Sequence, residues 1–66
     1  MQEGAVKWYD ERKGFGYIRE VAGLDVFVHR SSFLDGLTTL TEGDRVRFDL
    51  NEGARKLEAM NVVKIS

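Results

Sequence analysis

Lys13-Gly14-Phe15-Gly16-Tyr17-Ile18 and Asp25-Val26-Phe27-Val28-His29 place ring side chains at alternate positions twice within residues 13–29. Successive side chains of an extended strand point to opposite faces, so Phe15 and Tyr17 share one face, and Phe27 and His29 share another. Gly16, Ile18, Val26 and Val28 then face the other way. Both faces are apolar, yet a chain of 66 residues encloses only one core, and the aliphatic set is the better core material. The aromatic set is left uncovered, which marks a binding surface.

Nucleic-acid bases suit such a surface. Every base has a π-face that stacks on Phe, Tyr, Trp or His, and the nearby cations Lys7, Arg12 and Lys13 are placed to meet phosphates. The competing reading makes the rings ordinary core. Gly14 and Gly16 weigh against it, because they remove side chains on either side of Phe15, which fits close backbone approach or a tight turn better than core filling.

Composition narrows the function further. There is no Cys and only one His, so a thiolate metal site, a His cluster and a disulfide framework are all excluded, and no metal or cofactor is expected. The net charge of −1 argues against a reader of duplex grooves, which carries a basic excess. Single-strand binding needs only a local positive strip beside stacking rings. With 42% hydrophobic residues and near-zero net charge the chain folds rather than remaining disordered. Met1-Gln2-Glu3-Gly4 lacks a basic segment followed by an apolar run, and no stretch reaches membrane-spanning length. The expectation is a soluble cytoplasmic monomer with no membrane partner and no small-molecule substrate.

Outward from the central stretch, five strands are expected. Gly4–Asp10 is the first, with Val6 inward and Lys7, Trp8 and Tyr9 at or near the aromatic face. Three large residues in a row break simple alternation, and a bulge or strong twist would bring Trp8 beside Phe15. Asp10-Glu11-Arg12-Lys13 is a charged turn into the second strand, Gly14–Glu20. Leu24–His29 forms the third. Between Arg30 and Gly43 the spacing of Phe33, Leu34, Leu37 and Leu40 is helical, but Gly36 and three threonines lower helix propensity, leaving one short turn near Ser31–Phe33 and a loop whose leucines cover one end of the core. Arg45–Leu50 alternates cleanly with Val46, Phe48 and Leu50 inside, and Arg45 and Arg47 on a solvated face. Leu57–Ile65 is the fifth strand. Five short strands with one long middle connection predict an all-β protein, a five-stranded antiparallel OB-fold β-barrel.

These residues resemble the bacterial cold-shock proteins over essentially the whole chain, so that residues 1–66 are expected to form a single cold-shock domain. Gly4-x-Val6-Lys7-Trp8-Tyr9 is similar to the family's opening strand. Lys13-Gly14-Phe15-Gly16-Tyr17-Ile18 is similar to its first ribonucleoprotein motif, and Val26-Phe27-Val28-His29, preceded by Asp25, to its second. Leu40-x-Glu42-Gly43 and Ala59-x-Asn61-Val62 resemble the later strands. RNA-recognition-motif domains share a similar first motif but place the second one earlier and need two helices. The resemblance implies binding of single-stranded RNA and DNA, and a role as an RNA chaperone or regulator of transcription or translation. It also implies binding positions at Lys7, Trp8, Tyr9, Lys13, Phe15, Tyr17, Asp25, Phe27, His29 and Arg55.

The chain departs from the family pattern where Arg30 replaces a further aromatic after His29, where Leu37 replaces the usual aromatic in a long loop one residue shorter than the common form, and where Lys56-Leu57-Glu58 replaces Gly-Pro-Gln. Arg30 is read as a phosphate contact beside His29, and the loss of up to two rings predicts weaker binding or a different selectivity. Asp25 either hydrogen-bonds a base edge or solvates the start of its strand. His29 is a stacking platform rather than a catalytic base, because no Ser, Cys or second acid accompanies it in a recognisable arrangement. No phosphate loop or nucleophile–base pair is visible, so no enzyme is expected. The alternative function is a peptide-binding barrel that grips proline-rich segments with its rings.

Overall fold

The computed structural model of the chain describes residues 1–53 and 56–65. Five strands close into a barrel: β1 (Gln2–Asp10), β2 (Phe15–Glu20), β3 (Asp25–His29), β4 (Arg45–Asn51) and β5 (Glu58–Lys64), in the spatial order β1-β2-β3-β5-β4 with β4 returning to β1. The all-β, OB-type architecture expected from the alternating stretches is the one observed, with boundaries shifted by one or two residues.

One feature of the pairing differs from a wholly antiparallel barrel. Four of the five neighbouring pairs are antiparallel, but β3 and β5 run parallel, joined at Phe27 opposite Glu58. Parity requires this, because a closed ring with an odd number of strands cannot alternate direction at every step. The parallel seam is short. Phe27 N–H donates to the Leu57 carbonyl at 2.9 Å, and past the end of β3 an isolated parallel bridge joins Phe33 to Val62.

The core is the aliphatic face of the same alternation. Ile18, Val26 and Val28 are fully buried, as are Val46, Phe48 and Val62 from β4 and β5, with Val6 and Ala59 filling between them. Leu40 closes one end from the long connection, and Phe33, Leu37, Leu50 and Leu57 pack against this cluster while remaining partly exposed. Leu34 departs from expectation. It is 43% exposed, because the chain turns away there through Asp35 and Gly36, both at positive φ, before the amphipathic spacing can be used as a helix. The only helical element among the described residues is a single 3-10 turn at Arg30–Ser32.

Two irregularities aim side chains. In β1 the register with β2 slips between Val6 and Trp8, so Lys7 is an extra residue, and Lys7 and Trp8 are both exposed while Val6 stays in the core. Gly16 makes room for this: a Cβ there would lie 2.2 Å from the Trp8 carbonyl oxygen and 2.7 Å from Tyr9 Cα. The second slip lies between Arg47 and Asp49 in the β4–β5 pairing, where Asn61 takes φ 54°, a conformation Asn tolerates better than most residues, and its amide donates to Asp49 at 2.8 Å.

Candidate nucleic-acid interface

Strand register brings the rings together. Trp8 lies opposite Tyr17, Tyr17 opposite Phe27, and Phe15 opposite His29. Trp8, Phe15, Phe27 and Tyr17 form a closed circuit in which each ring touches two others. Centroids are 5.9 Å apart for Trp8–Phe15, 5.8 Å for Phe15–Phe27, 5.7 Å for Phe27–Tyr17 and 5.7 Å for Tyr17–Trp8, with interplanar angles from 34° to 73°. Edge-to-face and tilted contacts of this kind hold the rings against one another while leaving part of each face open. Trp8 is 40% exposed at the margin of the circuit; Phe15, Tyr17 and Phe27 are half-buried. The alternative in which these rings form the core is therefore wrong for this chain, whose core lies on the opposite face.

His29 extends the row from Phe15. Its Nδ1 accepts the Ser31 backbone N–H at 3.1 Å and lies 2.9 Å from Ser31 Oγ, so the ring caps the 3-10 turn and Nε2 is left as the N–H donor. The imidazole is fixed in orientation without a catalytic partner in the contacts it makes.

Tyr9 goes elsewhere. After the bulge it lies opposite Gly16 and faces the interior side, with its ring 5.8 Å from Phe33 and packed against the end of the core. Burial pushes its hydroxyl above the usual tyrosine range, partly offset by the Arg30 guanidinium. This differs from the expected place at or near the aromatic face: the same extra residue that turns Trp8 outward turns Tyr9 inward.

The cations divide into two groups. Lys7 Nζ donates to Asp25 Oδ2 at 3.1 Å, and Arg19 Nε to Asp25 Oδ1 at 3.3 Å, so one exposed carboxylate holds two cations beside the ring circuit. The hydrogen bond from Lys7, with a smaller contribution from Arg19, keeps the Asp25 carboxyl below the ordinary carboxylate range despite slight desolvation. Lys13 and Arg30 have no ion-pair partner among the described residues. Lys13 leaves a turn built by Asp10, whose Oδ1 accepts the Arg12 and Lys13 N–H groups at 2.9 and 3.0 Å, while Gly14 at φ 78° sends the chain into β2. The Arg30 stem lies directly over Gly14: a Cβ on Gly14 would come within 2.8 Å of Arg30 Cδ and Nε. Arg30 N–H also donates to the Gly14 carbonyl at 2.8 Å, so the guanidinium is anchored near the β1–β2 turn.

Arg55 lies outside the described residues. One side chain that the sequence reading did not include is on this face: the Lys56 ammonium lies 4.2 Å from the centroid of the Phe27 ring. No periodicity marks it, since it belongs to a turn. Its nearest signal is the Lys56-Leu57-Glu58 segment standing where the resembled pattern has Gly-Pro-Gln.

The chain matches the family described as the 'Cold-shock' DNA-binding domain over residues 2–65. It is 49% identical over 65 residues to cold shock protein CspC of Bacillus subtilis (strain 168), covering 97% of this chain and 98% of that protein. It is 45% identical over 67 residues to the major cold shock protein of Streptococcus pyogenes serotype M18 (strain MGAS8232), covering 100% of both. Among solved structures it is similar to drosophila Unr CSD456, with a TM-score of 0.81 at 24% identity over 98% of this chain; the chain spans 26% of that structure, and at this identity the likeness is one of fold.

Proposed function

We infer that this chain, which belongs to the cold-shock domain family, binds single-stranded RNA and DNA by stacking bases on the rings of β1, β2 and β3. The observation that carries this reading is the circuit of Trp8, Phe15, Phe27 and Tyr17, partly open on the face opposite the core and continued by His29. Stacking contributes about 1–3 kcal/mol per base and is tolerant of sequence, because every base has a π-face. Lys7, Lys13 and Arg30 border the rings, and Asp25 has a double role: it fixes Lys7 and Arg19, and it offers a carboxylate to a base amino group.

A duplex has its bases already stacked and paired, so it presents only phosphates to this face. A protein of net charge −1 has little to hold it by phosphates alone. Loose, sequence-tolerant gripping of unpaired strands is the chemistry of an RNA chaperone, and by occupying single strands in transcripts the same face would regulate transcription or translation. A cysteine-free chain with this activity is expected in the cytoplasm, as a monomer. The test is Trp8 emission during titration with oligothymidine, the matched duplex and a proline-rich peptide. Saturable quenching by the single strand at much lower concentration than by the others is expected. Tighter binding of the duplex or of the peptide would overturn the reading.

A further inference from the structure

Lys56 is held beside the stacking face by backbone. Its neighbour Leu57 accepts the Phe27 N–H at 2.9 Å, and Glu58 lies opposite Phe27 across the parallel seam, so the segment carrying Lys56 is tied to the residue whose ring it meets. At 4.2 Å from the centroid the ammonium is well inside the range of a cation–π contact. Among the described residues no carboxylate lies within ion-pair distance of Lys56, so the ring is its contact. Phe15 and Tyr17 approach the same ring with centroids at 5.8 and 5.7 Å, which leaves few directions from which a base can reach it.

We propose that Lys56 covers the Phe27 stacking position in the free protein and is displaced by the base that takes that position, its ammonium moving to a backbone phosphate of the same strand. The proposal rests on the reading of this face as a single-strand binding surface. A stacked base needs contact with the ring at about 3.5–4.0 Å between carbons, so base and ammonium cannot share one face. A displaced ammonium on a four-carbon stem remains within a side-chain length of the ring, where the phosphates of a stacked strand run. Phe27 therefore differs from Phe15 and Tyr17 as a subsite: its occupation exchanges a cation–π contact for a stack plus a phosphate contact, and its affinity depends on salt.

Two measurements test this on the intact protein. In NMR spectra the Lys56 Hε protons, assigned by their loss in Lys56→Gln, are expected to be shifted upfield by the ring current, to lose that shift in Phe27→Leu, and to lose it in the wild type when oligothymidine saturates the protein. Unshifted Hε resonances in the free protein, or a shift that persists at saturation, would overturn the proposal. In a salt series with the same oligonucleotide, Lys56→Gln should flatten the dependence of log affinity on log salt by about 0.7, the value for one single-strand phosphate. Near 1 M salt, where the phosphate contribution is small, the variant should bind about two- to fivefold more tightly than wild type, the size of an exposed cation–π contact. A variant with unchanged slope, or weaker binding at every salt concentration, would refute the exchange. Failure of the underlying function is recognised separately, by Trp8 emission that oligothymidine leaves unchanged while the Hε shift of the free protein is present.

Discussion

Replacing Phe15 by Ala separates a stacking ring from a core ring. Phe15 is half-buried and touches Trp8 and Phe27 at 5.9 and 5.8 Å, whereas Phe48 is 0% exposed in the barrel interior. Two aromatic contacts at about 0.5–1.5 kcal/mol each, added to about 1 kcal/mol for the half-buried ring surface, put the folding loss for Phe15→Ala at about 2–4 kcal/mol. A buried Phe→Ala change costs about 3–5 kcal/mol. Against a total stability of about 3–10 kcal/mol for a domain of this length, the first variant keeps more of its stability than the second, which is near the edge of unfolding. In binding the order reverses. Loss of one stacking platform should cost about 1–3 kcal/mol, or about five- to 150-fold in affinity, while the milder Phe48→Leu should bind as wild type. Urea unfolding followed by far-ultraviolet circular dichroism gives the first quantity, and calorimetric titration with oligothymidine gives the second. If Phe15→Ala loses as much stability as Phe48→Ala and its folded fraction binds normally, Phe15 is a core residue and the face has been misassigned.

Gly16→Ala should lower the urea midpoint by at least the equivalent of about 1–3 kcal/mol, because its Cβ would meet backbone atoms of Trp8 and Tyr9 that cannot rotate away; an unchanged midpoint would show that the bulge does not need the glycine. Asp25→Asn should release Lys7 and Arg19 and steepen the salt dependence of oligothymidine binding by up to about 0.7 for each cation that gains a phosphate, with no change if neither does. Because the folded pKa of Asp25 is depressed, its contribution to stability is complete above the unfolded value near 3.8 and is lost as pH falls through the lower folded value, so the acid limb of a stability–pH curve should flatten in the same variant. Arg30→Ala should weaken binding and flatten the salt slope by about 0.7; weaker binding at constant slope would mean that the guanidinium stacks on a base instead.

The strands were legible because each has a face that must be buried, and a period of two shows which residues share it. Val26 and Val28 against Phe27 and His29 is enough to assign both the core and the ring face of β3. The outward position of Trp8 was legible only as a conditional, since three large residues in succession fit no strand without an extra residue, and its place was settled by pairing with Tyr17 across the bulge. Tyr9 takes the face opposite to the expected one because one residue of slip exchanges faces for everything beyond it. The long connection was hard to read for a different reason. Leu34, Leu37 and Leu40 have helical spacing, but only Leu40 is fully buried, and the Asp35-Gly36 dipeptide, a turn signal, takes positive φ at both residues and interrupts the helical pattern. Lys56 was invisible to any periodic reading. It reaches Phe27 because a parallel seam, itself a consequence of closing five strands, brings the turn after β4 beside β3.

On the proposed function, charge and rings act on different aspects of recognition. Lys7 and Arg19 are engaged by Asp25, Arg47 by Glu3 and Lys64 by Asp44, so four of the nine described Lys and Arg residues are already paired within the protein. Exposed pairs of this kind add little to stability. Their effect is to remove a diffuse attraction for any polyanion, while Lys13, Arg30 and Lys56 stay close to the rings or to the turns that border them. A strand whose bases are free can use both the rings and those local cations. A duplex can use only the cations, and the few left unpaired beside the rings compete poorly with the counterions it already carries. On the proposed function, selectivity for unpaired strands would follow from keeping the unpaired charge small and local, which suits a chain of net charge −1 to a polyanionic partner.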